Sequence, residues 1–311
     1  MLLFILKRVI YGIATLFAIT TLTFFLLHSL PGDPMASEKA IPEAVRAELR
    51  AQYNLDKPLY VQYGYYLKNL VKGDLGVSMK IKGRKISKII KDTFPYSLDL
   101  GLRAVIFAFI GGMTLGIIAG LNRGKKWDTI SMILAILGVS VPSFILGGLF
   151  QWVVVKFDIG FLAVAGYENF GEKILPAIAL GMFPLAIIAR MMRASMIDVL
   201  GQEYIKTAKA KGLSPFKIIW KHCIRNAIMP IITYLGPLIA AVTTGSFVVE
   251  NVFAVPGLGK YYVKSIYDSD YTVVLGITIF YAAILILMVV FVDVLYGFID
   301  PRVRIGESKE G

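Results

Sequence analysis

The sequence predicts an all-α polytopic membrane protein with six transmembrane helices. Three observations carry this prediction. Of 311 residues, 57% are hydrophobic and 17% charged, whereas a soluble domain is about 45–50% apolar. Six apolar runs approach or exceed the roughly 20 residues that a helix needs to cross the hydrocarbon core. Lysine and arginine are distributed unevenly among the segments between those runs. The formal net charge of +12 is therefore read as loop charge that orients the spans, not as a nucleic-acid footprint. Cys223 is the single cysteine, so the chain has no disulfide framework of its own. His28 and His222 lie far apart and read as structural or interfacial residues.

The first run extends from about Val9 to Leu27, behind Lys7 and Arg8. A signal peptide has a core of roughly 7–15 apolar residues and a small-residue cleavage site. Neither feature is present, so the run is expected to be a retained span. The second runs from about Leu98 to Leu121, the third from Ile130 to Val155, and the fourth from Ile174 to Met191. The fifth runs from about Ala227 to Val249 and the sixth from Thr272 to Ile299.

With the N-terminus inside, the inner segments hold sixteen lysines and arginines. The two short outer loops hold only Lys156, Lys173, Lys260 and Lys264. The prediction is N-in and C-in. The long outer segment is also lysine-rich, but loops beyond about 60 residues escape the rule. The division that follows is 1–28 for the first span and 29–96 for an extracytoplasmic segment with short amphipathic helices. Residues 97–300 form a core of five spans with a cytoplasmic loop at 193–226, and residues 301–311 form a cytoplasmic tail.

Within the outer segment, Val45, Leu49 and Tyr53, then Tyr60, Tyr63 and Leu67, keep helical apolar spacing. PGDP at 31–34 and GDLG at 73–76 read as turns. In the second span Gly112, Gly116 and Gly120 recur every four residues, a spacing that lets helices approach closely. Pro142, Pro176, Pro184, Pro230 and Pro237 are expected to interrupt or kink spans.

The sequence lacks a phosphate-cradling GxxxxGK[ST] loop, and neither HExxH nor GxSxG occurs. Asp99 and Arg103 stand one helical turn apart and predict a local ion pair. Asp293 falls near the inner end of the sixth span. These few ionisable groups describe a transport scaffold powered from elsewhere.

The stretch EYIKTAKAKGLSPFKIIWKH, Glu203 to His222, is the chain's most basic compact segment. Glu203 opens a helix and lysines close it, which suits the helix dipole. Gly212 is a natural stop, Ser214 a natural N-cap, and Pro215 fits the first helical position. Phe216, Ile219, Trp220 and Cys223 predict an apolar face on the second helix. Ala208, Ala210 and Gly212 are small enough for the turn to fit closely into another surface.

TAKAKG at 207–212, followed by Leu213, resembles the EAA loop of ABC-importer permeases, although the consensus glutamate is Lys206 here. PGDP at 31–34, GDLG-x-S at 73–78, PSF at 142–144 and ARMMRASMIDVL at 189–200 agree with the same family. So do GSFVVENVFAVPGLG at 245–259 and DVLYGFIDPRVR at 293–304. The chain is similar to B-type membrane subunits of oligopeptide and dipeptide importers, and SMKIKG at 78–83 resembles the oligopeptide branch. The resemblance implies a type I ABC-importer fold in the plasma (inner) membrane of a prokaryote. It also implies a second homologous permease, two cytoplasmic ATPase subunits that bind ATP and Mg, and an extracytoplasmic peptide-binding protein. Membrane lipid surrounds the chain, and no cofactor belongs to it.

On this reading Glu203, Tyr204, Lys206, Thr207, Ala208, Lys209, Ala210, Lys211 and Gly212 form the contact with an ATPase subunit. Thr207 and Ala208 would pack, with Lys206, Lys209 and Lys211 at the rim. Pro256, Gly257, Leu258 and Gly259 are the expected docking turn for the binding protein. Dipeptides or nickel chelates are the alternative cargo. A different class, an ATPase-independent channel or sensor, would use the basic loop to bind anionic lipid.

Overall fold

The computed structural model describes residues 2–30, 47, 50–51, 53–81, 83–243 and 246–299. The PGDP turn, most of the first expected outer helix and the 301–311 tail lie outside the described residues, as do the side chains of 292–299, Asp293 included. Among the described residues the chain is almost wholly helical, with one isolated antiparallel bridge between Val77 and Lys85. It divides into two compact units, Met1–Pro95 with Gly257–Val290, and Tyr96–Pro256 with Phe291–Gly311.

The helices in order are α1 (Leu2–Ser29), α2 (Leu59–Val71), α3 (Ile86–Leu121), α4 (Lys126–Ser140), α5 (Ser143–Lys156) and α6 (Phe170–Leu200). They continue with α7 (Glu203–Ala210), α8 (Pro215–Ala227), α9 (Met229–Thr243), α10 (Phe247–Val252), α11 (Leu258–Tyr267) and α12 (Tyr271–Ile299). Among the described residues four helices are long and apolar enough to cross a membrane: α1, α3, α6 and α12. Two further spans arise if each of the bent pairs α4–α5 and α8–α9 is counted as one, which gives up to six.

The third expected span, Ile130 to Val155, is broken into α4 and α5 at 109°. Pro142 sets the break. Its ring disfavours helical geometry at the residue before it, and Val141 is extended at φ −104° and ψ 122°. Each arm of 14 or 15 residues spans about 21–23 Å, short of the ~30 Å hydrocarbon core. Pro230 marks the second break, of 50°. It sits in the first turn of α9, where its missing N–H costs nothing. Pro176, Pro184 and Pro237 stay inside helices. The second expected span began at Leu98, but α3 starts at Ile86 and carries Pro95 within it.

In the first unit, Phe24 and Leu27 of α1 are buried with Tyr271, Val274 and Leu275 of α12. Ile86, Ile89 and Ile90 of α3 pack with Leu258 of α11 and with Val273 and Ile277 of α12. The GDLG-x-S motif is a clamp as well as a turn. Asp270, 2% exposed, accepts hydrogen bonds from Ser78 Oγ and from the backbone N–H groups of Met79, Lys80 and Val273. One carboxylate thus ties the motif to the N-terminus of α12.

In the second unit, the glycine stripe of α3 meets α6 as its spacing predicts. A Cβ at Gly112 would lie 2.8 Å from the Ile188 Cβ, one at Gly116 2.5 Å from the Met192 Cβ, and one at Gly120 2.6 Å from the Met196 Cβ. Only glycine permits that approach. The core continues through Met192 and Met196 to Ile205, Ala208, Ile218, Cys223 and Ala227, so α8 packs on α6 and α7 packs on α8.

Candidate functional site

The candidate site is the α7–α8 pair. α7 ends on a Schellman motif: Gly212 N–H donates to Lys209 O at 3.0 Å and Leu213 N–H to Ala208 O at 3.3 Å. Gly212 has φ +73°. Ser214 Oγ accepts from Lys217 N–H at 3.4 Å, with Pro215 at the first helical position. The stop and the cap stand where the sequence puts them. Gly212→Val should lower the melting temperature, because a left-handed backbone costs an L residue roughly 1–2 kcal/mol. Gly212→Asn should melt close to wild type, since asparagine tolerates that region. Equal melting of both variants and the wild type would refute the strain.

The second helix differs from expectation. Ile218–Ile224 is π-helical, with i→i+5 bonding that widens the turn. The inward residues are therefore Ile218, Cys223 and Ala227. Phe216 and Trp220, expected on the helix's apolar face, are 71% and 59% exposed, and their ring centroids lie 6.0 Å apart. A spacing rule of 3.6 residues per turn could not locate this face.

α7 buries Ile205 and Ala208 in the chain's own core. Ala208, expected to pack outward against a partner, is 6% exposed and is corrected to a core residue. Ile205 beside it, fully buried, was passed over. Glu203, Tyr204, Lys206, Thr207, Lys209, Ala210, Lys211 and Gly212 remain exposed. Lys206 Nζ pairs with Glu203 Oε1 at 2.7 Å, a surface contact of small worth. Tyr204 OH accepts from Asn226 Nδ2 at 3.0 Å and so pins α7 to α8.

The expected docking turn offers less surface than its sequence suggests. Pro256 is exposed, whereas Gly257, Leu258 and Gly259 are buried. Leu258 opens α11 and fills the core around Ile86, so its apolar side chain is committed inward.

Buried polar groups complete the frame. Arg193 grips Asp128 with two hydrogen bonds, Nε to Oδ1 at 2.6 Å and Nη2 to Oδ2 at 2.8 Å, and Gly124 N–H adds a third at 2.9 Å. The expected pair of Asp99 and Arg103 forms at 3.0 Å. Tyr167 OH at 3.0 Å and Lys173 Nζ at 3.6 Å extend it. Burial and the hydrogen bond to Asp99 push the Tyr167 phenol above its ordinary pKa. Glu250, 0% exposed, accepts from Ser97 Oγ at 2.8 Å. The roles of Asp128, Glu250 and Asp270 were missed by sequence reasoning. Their only sequence signal is an acid near a helix start, a placement that many surface residues share.

Bent and straight apolar spans, joined by a capped basic helix pair, are the build of a membrane permease. The chain belongs to the family of binding-protein-dependent transport system inner membrane components, whose model matches residues 112–305. The N-terminal model of the same system matches residues 1–101. The chain is a multi-pass inner-membrane protein. It is 47% identical over 304 residues to a dipeptide transport system permease protein of Bacillus subtilis, covering 97% of this chain and 98% of that one. It is 44% identical over 306 residues to an oligopeptide transport system permease protein of Haemophilus influenzae, covering 98% and 100%. The corresponding oligopeptide protein of Escherichia coli K12 is 40% identical over 306 residues, with the same coverage.

Proposed function

We propose that the chain is the permease subunit of an ATP-driven importer that moves oligopeptides into the cell. The observation that carries this reading is the α7–α8 pair, a rigid capped element whose outer face is open and whose inner face is fixed to α6, in a chain of this family. Full-length likeness to peptide permeases supports the cargo class. The likeness to a dipeptide permease favours shorter peptides as the second reading. The proposed arrangement is N-in and C-in, with the α7–α8 pair in the cytoplasm and residues 29–96 outside.

A second, homologous permease would complete the path. Two ATPase subunits would bind ATP and Mg, so this chain carries no ATP site or cofactor of its own. A peptide-binding protein would deliver cargo, with Pro256 as the exposed residue of its expected docking turn. ATP binding would draw the ATPase subunits together, and α7 would follow and pull α6. The ligands must favour different states, since only differential affinity shifts an equilibrium.

Thr207→Trp tests the contact. It enlarges the exposed face and leaves Ile205 and Ala208 in place. Expected are loss of ATPase co-purification and at least a tenfold fall in peptide-stimulated ATP hydrolysis, at an unchanged melting temperature. Normal stimulation in that variant would end the assignment of this face.

A further inference from the structure

The first unit holds a cavity of about 280 Å³, near the lower end of the roughly 300–1,000 Å³ of small-molecule sites. Its walls favour one charge. Phe24, Tyr53, Tyr65, Tyr66 and Tyr271 present aromatic rings and Asp74 a carboxylate; no lysine or arginine lines it among the described residues, in a chain of net charge +12.

His28 adds to the bias. Its Nδ1 lies 2.8 Å from the Phe24 carbonyl, which can only accept. Nδ1 therefore carries the proton, and Nε2 of the neutral ring is an acceptor. The rings already hold one cation, for Lys57 Nζ lies 4.7 Å from the Tyr65 centroid. Asp74 Oδ1 accepts from Gly76 N–H at 2.9 Å, which fixes the carboxylate. Two lining residues, Tyr66 and Thr272, carry buried hydroxyls with no hydrogen-bond partner among the described residues. Such groups gain when the wall adjusts around a polar occupant.

We propose that this cavity binds a primary ammonium group. Aromatic faces beside a carboxylate are the chemistry that selects one. Two sources share it, an amine-bearing phospholipid headgroup and the α-ammonium of a small amino compound. The inference uses side chains of the first unit alone and does not rest on peptide as cargo.

The test uses the full chain in lipid nanodiscs. In one arm the discs hold phosphatidylglycerol only, and calorimetry measures binding of dialanine, with N-acetyl-dialanine as the uncharged control. In the other arm phosphatidylethanolamine is added, and native mass spectrometry counts the lipid retained. Binding in the first arm assigns the free amino compound, and retention in the second assigns the headgroup. In the positive arm Asp74→Asn, which keeps the acceptor for Gly76 N–H, should weaken binding about tenfold, the scale of one charge-assisted contact. Tyr65→Leu should weaken it several-fold and decides the matter if Asp74→Asn misfolds. No binding in either arm, equal binding of the acetylated compound, or undiminished binding by both variants overturns the proposal.

Discussion

Gly116→Val is expected to remove most of the folded protein. At Gly116 an added Cβ would lie 2.5 Å from the Met192 Cβ, 2.7 Å from the Ala189 carbonyl oxygen and 3.1 Å from the Arg193 nitrogen. Two of these three atoms are backbone, and the third is fixed to it, so no rotamer change relieves the clash. α3 and α6 would have to part along the stripe from Gly112 to Gly120. Overpacking a core costs about 1–3 kcal/mol even where side chains can adjust, and here they cannot. Gly148→Val is the matched control, because nothing lies within 4 Å of a Cβ at that position. Size-exclusion profiles and melting curves should show Gly116→Val aggregated or melting far below wild type, and Gly148→Val unchanged. If both variants behave like wild type, the close approach does not hold these helices together.

The features legible in the sequence are local ones. Gly212, Ser214 and Pro215 announce a stop, a cap and a first turn within four residues, and each is found in place. The glycine stripe is legible because its period repeats the helix's own. Asp99 and Arg103 lie one turn apart, so their pair could be read directly. A break at Pro142 was legible from the proline itself, but its 109° angle was not, because a proline does not fix the angle between the arms it separates. The π-helical stretch was hidden because i→i+5 bonding changes the inward set from Phe216, Ile219, Trp220 and Cys223 to Ile218, Cys223 and Ala227, so that only Cys223 is common to both.

The candidate site was half legible. Its position followed from charge and punctuation, but its orientation did not. α7 carries small or apolar residues around much of its circumference, Ile205 and Ala208 on one face, Ala210 on the opposite one and Tyr204 at the flank, and only packing against α8 and the core around α6 decides which turns inward. The link from Ser78 to Asp270 joins residues 192 apart in the chain, a separation at which no local pattern operates.

Arg193→Ala should destabilise the fold through the buried charge it leaves behind. Asp128 is 5% exposed, and its carboxylate takes two hydrogen bonds from Arg193 and one from Gly124. Removing the arginine leaves a buried anion with one backbone donor. Breaking a fully buried pair costs roughly 3–5 kcal/mol; with the arginine side chain 32% exposed, solvent reduces that to about 2 kcal/mol. Lysine cannot reproduce the two-pronged grip, so Arg193→Lys should recover only part of the loss. Melting curves would order the proteins as wild type, then Arg193→Lys, then Arg193→Ala, and three equal curves would refute the role of the pair. The functional consequence is separable from the loss of stability. The pair fixes the N-terminus of α4 to α6 only ten residues before α7 begins. Under the proposed mechanism, motion entering at α7 reaches the bundle through that end of α6. At a temperature where Arg193→Lys is still fully folded, peptide-stimulated ATP hydrolysis should therefore fall while basal hydrolysis by the bound ATPase subunits persists. A purely structural pair would leave the two in their wild-type ratio.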